Sequence, residues 1–427
     1  MTKARLDGLY MLLLGSVVLI LLGTVLGRIS PNPMNDFKVD YYSARCLIQH
    51  CDPYNEGELL RIYRAGGEKY PSDDAAELVT VTRDVYPPTA FSFTVPFAIL
   101  PWGPASILWM MLTVGSLIFA SLLVWNLGAN YAPILSGILI AFLLANSELL
   151  IVLCNPSGIV ISLCVVAVWC FLREAFVLPG ILCLAISLAI KPQESGLVWL
   201  YFLLAGGVYR RRAVQTLLAT VALSLPGVLW AWHVSPHWVQ ELHSNILAFS
   251  VHGGFNDPGP ASAGPHGAAK MINLQTAISV FWDDPRIYNP ASYLICATLL
   301  LVWAFVTLRS RSSPTRAWLA IAAIAALTML PVYHRQYDAK LLLLTVPACG
   351  MLGRLALLVN TVGFVLTGDL SWMAILGLIS KLFPPATGLS EHILAGAQVF
   401  SAPLVLLIMG VFYLWVYVRR CSEHAPT

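Results

Sequence analysis

A chain of 427 residues that is 58% hydrophobic and only 11% charged carries more apolar surface than a water-soluble fold can bury, which excludes the soluble globular and disordered classes. The net charge of +3 is too small for a nucleic-acid footprint, and the basic residues sit in short clusters between apolar runs rather than in one patch. Since a crossing needs about 20 apolar residues, these runs predict an all-α polytopic membrane protein. About twelve transmembrane helices are expected in a single domain over residues 1–427.

Lys3 and Arg5 precede the apolar run 8–26 and hold the N-terminus in the cytoplasm by the positive-inside rule. The run is longer than a signal-peptide core and no Ala-x-Ala site follows it, so it reads as a retained anchor. Residues 28–86 then form the first of two large extracytoplasmic loops. Asn35-Asp36-Phe37-Lys38-Val39-Asp40 opens it, and a helix from there to about His50 sets both carboxylates on one face, one turn apart. Asp36 reads in two ways: as a helix cap, since Asx before an amphipathic run is a start signal, or as an acid presented to a substrate hydroxyl. A second amphipathic helix is expected over 56–65, then the acidic turn Ser72-Asp73-Asp74.

Tyr86-Pro87-Pro88 pre-sets an extended re-entry, followed by a short apolar run to Leu100, a turn at Pro101-Trp102-Gly103-Pro104 and a span over 105–127. Residues 130–154 are interrupted by Asn146, Ser147 and Glu148 and read as one long helix or as two short helices packed as a hairpin, with charge parity favouring the hairpin. Asn155-Pro156-Ser157-Gly158 then lies outside and Arg173 inside. Run 179–190 rises to Lys191-Pro192-Gln193-Glu194, and 195–207 descends to Arg210-Arg211-Arg212, the strongest cytoplasmic signal in the chain. After a span over 214–233, the second extracytoplasmic loop, 234–290, carries His237, Trp238, a helical piece to Phe249, a Gly/Pro-rich stretch over 252–267 and Trp282-Asp283-Asp284. Runs 291–308 and 317–332 flank cytoplasmic Arg309, Arg311 and Arg316, so 333–340 returns to the outer side. Runs 341–353, 355–383 (interrupted near Asp369) and 397–418 end at Arg419-Arg420 inside. There is no internal repeat.

The nine cysteines show no CxxC and no spacing suited to zinc, and no metal or cofactor is expected. Cys154, Cys164, Cys170, Cys183, Cys296 and Cys349 fall in or beside apolar runs as ordinary buried residues. Only Cys46 and Cys51 share a loop, and a disulfide between them requires the helix to break after His50.

Under this topology Asp36, Asp40, Asn155, Lys191, His237, His243, His334, Arg335 and Lys340 converge on one membrane face. An acid beside several cations suits a substrate that brings both a hydroxyl to be deprotonated and a phosphate to be held. Plainer readings stand beside this one. Lys191 can snorkel to the interface, Arg335 and His334 can be interfacial anchors, and Lys340 reads as a basic residue flanking a span. Asp40 can pair with Arg45 or Lys38. His237 and His243 read as surface residues, Glu148 as a cavity or ion-pair residue, and Asp73-Asp74 and Asp283-Asp284 as solvated turns. A transporter or flippase of a lipid-linked saccharide is the competing class, though paired halves and midplane ionisable sites would mark it.

Taken in order, Asp36-Phe37, Tyr41-Tyr42-Ser43-Ala44-Arg45, Asp52-Pro53-Tyr54, Tyr86-Pro87-Pro88, Leu100-Pro101, Trp109, Lys191-Pro192 and Arg335 with Tyr337-Asp338 resemble glycosyltransferase family 87. That family belongs to the GT-C superfamily of polyprenyl-phosphate-dependent enzymes, and its mycobacterial members are mannosyltransferases. The chain departs from the family where a Gly-Gln-x-Asn element is common, showing Asn155-Pro156-Ser157-Gly158 instead. The resemblance implies a GT-C-like bundle in the cell (inner) membrane with its site on the extracytoplasmic face. It implies inverting transfer of mannose or another hexose from a polyprenyl-phosphate donor to a lipid or glycan acceptor, through an oxocarbenium-like transition state. Asp36 would be the general base and Asp40 a second acid. Lys191, Arg335 and His334 would hold the donor phosphate, and Asn155, Tyr86, His237, Tyr337 and Asp338 would contact substrate. Membrane lipids are the remaining partners expected; nucleic acid is not.

Overall fold

A backbone surrounded by hydrocarbon must satisfy its own N–H and C=O groups, which makes helices the default for the apolar runs. The computed structural model describes residues 2–30, 32–66, 80–259, 271–310, 313–382 and 388–422. Asp73-Asp74, Arg311 and the 260–267 part of the Gly/Pro-rich stretch lie outside the described residues. Among the described residues there is no strand, and the extended pairing is a bridge between Met271 and Arg335.

The chain opens with α1 (Lys3–Ile29), capped by the Thr2 side chain. The first loop folds as α2 (Asn35–Ile48) and α3 (Glu56–Ala65), both at the expected positions. A single 3-10 turn (Pro88–Ala90) leads into α4 (Phe91–Ala98) and α5 (Trp102–Gly128). Next come α6 (Pro133–Ala145), α7 (Leu149–Leu153), α8 (Ser157–Arg173), α9 (Val177–Ile190), α10 (Pro192–Leu204) and α11 (Gly207–Val234). The second loop holds α12 (Trp238–Ser250) and α13 (Leu274–Ser279). The remainder comprises α14 (Pro285–Arg309), α15 (Pro314–Leu327), a 3-10 helix (Gln336–Thr345), α16 (Val346–Leu352), α17 (Arg354–Thr367), α18 (Asp369–Leu382) and α19 (Gly388–Ser422).

Among the described residues five helices are long and apolar enough to cross a membrane: α1, α5, α11, α14 and the 400–422 part of α19. A sixth crossing results if α17 and α18, bent by 81° at Gly368, count as one. About twelve were expected from the apolar runs. The runs are present, but polar and proline breaks divide several of them into shorter helices: α6, α8, α9 and α15 have 13, 17, 14 and 14 residues. The described residues are thus those of an all-helical polytopic membrane protein, with fewer full-length spans among them than apolar runs.

Residues 130–154 correct the expected hairpin. A Cβ on Gly8 would lie 2.3 Å from Pro133 O, on Gly15 2.5 Å from Ala141 Cα, and on Gly23 2.5 Å from Ile151 Cδ1. Rising numbers on α1 meet rising numbers on α6 and α7, so the two stretches run parallel and 130–154 is one passage. The polar interruption is absorbed locally: Asn146 Nδ2 donates to Phe142 O at 2.9 Å and Ser147 Oγ to Leu143 O at 2.6 Å. Groups satisfied by their own preceding turn break the helix without reversing it.

The first loop is fixed at both ends of α2. Phe37 stacks on Trp109 of α5, with ring centroids 4.4 Å apart, and Tyr41 meets Trp102 edge-on at 5.1 Å. Trp109 Nε1 donates to Cys154 O at 2.9 Å and Tyr41 OH to Leu100 O at 2.8 Å, so the aromatic layer also has its polar ends satisfied. At the far end the chain leaves the helix, His50 takes φ +58°, and Cys46 and Cys51 form a disulfide across a Cα separation of 5.0 Å. The break that the pairing required is present.

Candidate active site

The first turn of α2 supplies the acid. Its N-cap is Met34, in a left-handed conformation and without a side-chain cap bond, while Asn35 Nδ2 donates to Thr80 Oγ1 at 3.2 Å. Asp36 therefore does not spend its carboxylate on its own helix end. Instead, Oδ2 accepts from Asn155 Nδ2 at 2.7 Å, across from the turn that starts α8. Asp36 is half-buried, whereas Asp40, one turn further along the same face, is 3% exposed. Depth in the protein raises the Asp36 carboxyl above the usual carboxylate range, against the lowering effects of the Asn155 hydrogen bond and the Arg335 and Lys191 charges.

Asn155 joins that acid to a buried ionic cluster. Its Oδ1 accepts from Ser157 N at 2.9 Å and its Nδ2 lies 3.5 Å from Tyr86 OH. Ser157 Oγ is 2.7 Å from both Asn155 Oδ1 and Asp338 Oδ1 and, having one proton, donates to one of them at a time. Lys191, in the break between α9 and α10, donates to Ser157 Oγ at 2.5 Å and lies 2.8 Å from Asp338 and 3.0 Å from Glu194. The His334 Nδ1 is 3.2 Å from Asp338 Oδ2 and 3.7 Å from Glu194 Oε1, which leaves Nε2 buried without a partner among the described residues. Burial alone would lower the imidazole pKa; bonds to Asp338 and Glu194 raise it to about 9.

Arg335 differs from the other cations. Its guanidinium donates to Tyr333 OH at 2.5 Å, to Phe255 O at 3.2 Å and to Asn256 Oδ1 at 3.1 Å, all neutral acceptors. Among the described residues no carboxylate lies within salt-bridge distance of it. Tyr337 stands beside the cluster with its ring 5.4 Å from Lys191 Nζ.

Asp36, Asn155, Tyr86, Lys191, His334, Arg335, Tyr337 and Asp338 are thus brought together, on ends of elements far apart in sequence. Asp40 sits behind them, facing Asp84 rather than Arg45 or Lys38; burial, then the charges of Asp84 and Asp36, push it well above the usual range. His237 is not in the cluster. It is exposed at the N-cap of α12, beside Glu241, and His243 is exposed on the same helix. Lys340 is not a flanking residue either: it is buried, with Nζ 2.5 Å from Asn146 O and 3.3 Å from Asp369, in a separate polar cluster near Glu148. Sequence reasoning missed Ser157, Glu194 and Asp84 as members. Glu194 had a usable signal, since it follows Lys191 by three residues at a helix start.

Glu194, His334 and Asp338 also offer ligand atoms within 4.8 Å of one another, a donor set able to hold a divalent ion. The Lys191 ammonium, bonded to both carboxylates, already supplies positive charge at that point. A model of glycosyltransferase family 87 matches residues 85–332, more than half of the chain.

The chain belongs to glycosyltransferase family 87. It is therefore an enzyme, a glycosyltransferase acting between a sugar donor and an acceptor. No curated protein and no solved structure matches it. The family match contains Tyr86, Asn155, Lys191 and Glu194; Asp36 precedes it and His334, Arg335 and Asp338 follow it. Geometry, not the match, joins those outer residues of the glycosyltransferase to the inner ones.

Proposed function

We propose that this glycosyltransferase moves a hexose, mannose in the simplest case, from a polyprenyl-phosphate donor to a hydroxyl of a lipid or glycan acceptor, with inversion and with Asp36 as general base. The observation that carries the reading is the pairing of opposites in one network. A half-buried carboxylate held by Asn155 shares it with Arg335, a cation bonded, among the described residues, to neutral acceptors alone. The acceptor oxygen bonds to the anomeric carbon as its proton passes to Asp36 Oδ1 or Oδ2, and the bond from that carbon to the phosphate oxygen breaks on the opposite side. Arg335 takes the departing phosphate through Nη1, since Nε and Nη2 are already given to Tyr333, Phe255 and Asn256, with His334 Nε2 as a second donor. Lys191, neutralised by Asp338 and Glu194, holds the cluster together rather than binding the phosphate first. Asn155, Tyr86 and Tyr337 contact the sugar.

We place the whole chain in one domain of the cell (inner) membrane, with 28–86 and 234–290 as extracytoplasmic loops. Two observations support the side. Ser157 and Lys191 lie at the opposite ends of α8 to α10 from Arg173 and Arg210-Arg211-Arg212, and the Cys46–Cys51 disulfide suits an oxidising compartment. Helices of 17 and 14 residues rise only about 25 and 21 Å against a hydrocarbon core of about 30 Å. Their outer ends, and the site on them, then sit below the headgroups, where a lipid-linked phosphate lies. The test is to incubate membranes holding the wild-type or Asp36→Asn enzyme with radiolabelled polyprenyl-phosphate sugars. Label should move only with the wild type, and failure of every such donor would sink the reading.

A further inference from the structure

Between α12 and Met271 the chain carries a carboxylate that the proposed chemistry leaves unused. Asp257 has no exposed surface. Its Oδ2 accepts from Gly253 N at 2.7 Å and lies 3.1 Å from His252 Nδ1; its Oδ1 accepts from Gly259 N at 3.0 Å and from Tyr288 OH of α14 at 3.1 Å. Donors from both ends of loop 252–259, and from a helix behind it, converge on one side chain. The loop is drawn in tightly: Gly253 has φ +81°, and a Cβ on Gly259 would stand 2.2 Å from Asp283 Oδ1. The loop has turns of its own, with Gly254 N donating to Val251 O at 2.7 Å and Asn256 N to Phe249 O at 2.8 Å, and the buried Asp257 carboxylate ties its two ends to each other and to α14.

What the loop holds at its centre is Arg335. Phe255 O and Asn256 Oδ1 accept from the guanidinium, and the Phe255 ring lies 4.4 Å from it. An arginine has several rotatable bonds and strong nearby attractors, and the Asp36 charge is among those it feels. Released from the loop, it would fold onto a carboxylate. Held by neutral acceptors, it keeps its charge available for an incoming anion.

We propose that Asp257 is a positioning residue for the donor phosphate: by organising loop 252–259 it aims Arg335 into the site and keeps it off the acids. This rests on the reading of Arg335 as the phosphate ligand. The experiment uses the full chain in lipid nanodiscs and measures binding of a polyprenyl phosphate without a sugar, with the matching polyprenol as the uncharged control. Asp257→Asn keeps the shape but replaces one acceptor oxygen with a donor. It should weaken polyprenyl phosphate about tenfold, equivalent to about 1.4 kcal/mol, and leave polyprenol unchanged; a loss of fold would lower both. Tyr288→Phe, which removes a single donor to Asp257, should move the same constant in the same direction by a smaller factor and covers the case in which Asp257→Asn fails to assemble.

Arg335→Ala separates the two claims. If it weakens the phosphate and Asp257→Asn adds nothing further in the double variant, the positioning role stands. If Arg335→Ala weakens binding while Asp257→Asn and Tyr288→Phe do not, or if the losses simply add, the role of Asp257 is overturned and that of Arg335 survives. If Arg335→Ala leaves phosphate binding intact, both fall.

Discussion

Asn in place of Asp36 would keep the shape of the side chain and its place beside Asn155, but it cannot accept a proton near neutral pH. Transfer should fall by about 10² to 10⁴, the usual worth of a general base. Melting temperature and donor binding should stay near wild type, because Asp36 caps nothing through its side chain. A near-normal turnover would remove Asp36 from the mechanism. Lys191→Ala should behave in the opposite way. It leaves the buried Asp338 and Glu194 with His334 as the cation beside both, and loss of a partner from a buried ionic cluster costs about 3–5 kcal/mol, so thermal unfolding in detergent should show the loss before any donor assay does. Asp84 supplies a pH test. Burial pushes its carboxyl up to about 6, so the folded form keeps a proton that the unfolded chain loses near its ordinary value of 3.8. Its contribution to stability is therefore full at low pH and is lost as pH rises from about 4 through about 6; Asp84→Asn should flatten the melting curve over that window. At this scale the sequence revealed residue types better than partners. Asp36, Lys191 and Arg335 stood out as charges at the ends of apolar runs. Spacing along the chain reports Glu194, three residues from Lys191, but not Asp338, 147 positions away, nor the neutral Phe255 carbonyl, 80 positions from Arg335.

Elements were most legible where a local signal was strong. The two helices of the first loop fall where amphipathic spacing puts them; α3 starts on a side-chain cap, with Asn55 accepting from Glu58 N, whereas α2 follows Met34 without one. The stretch over 130–154 was misread because a polar interruption in an apolar run is compatible with a kink as well as a reversal, and the deciding contacts lie on α1. The parallel seam makes a sharp forecast. Gly15→Leu would drive a side chain into the backbone at Ala141, 2.5 Å from where its Cβ must sit, and should destabilise by about 1–3 kcal/mol or prevent assembly. Gly27→Ala, on the same helix with nothing within 4 Å of the added carbon, should leave the melting temperature unchanged or slightly higher. Equal effects from the two would mean that α1 does not pack along α6.

For the whole molecule, composition alone pointed to a polytopic membrane protein, and the described residues hold five helices long and apolar enough to cross, while the order of passages read from the basic clusters is a proposal. The number of full-length spans was beyond reach because hydropathy counts apolar residues without seeing where a proline or a buried lysine cuts them. Topology can be checked directly. Single cysteines introduced at Arg211 and Asn32 into a variant lacking the free thiols should react with an impermeant reagent from opposite sides, that at Asn32 from outside; labelling from one side would overturn the proposed orientation and the site with it. The short outer reach of α8 and α9 has a kinetic meaning as well. If, as proposed, the carboxylate is recessed beneath the headgroups and the donor is lipid-linked, the two meet by lateral diffusion, and the governing quantity is mole fraction in the lipid phase, not amount per volume of buffer. Adding inert phospholipid to a fixed quantity of enzyme and donor should slow turnover in proportion to the surface added, and diluting the same vesicles with water should not.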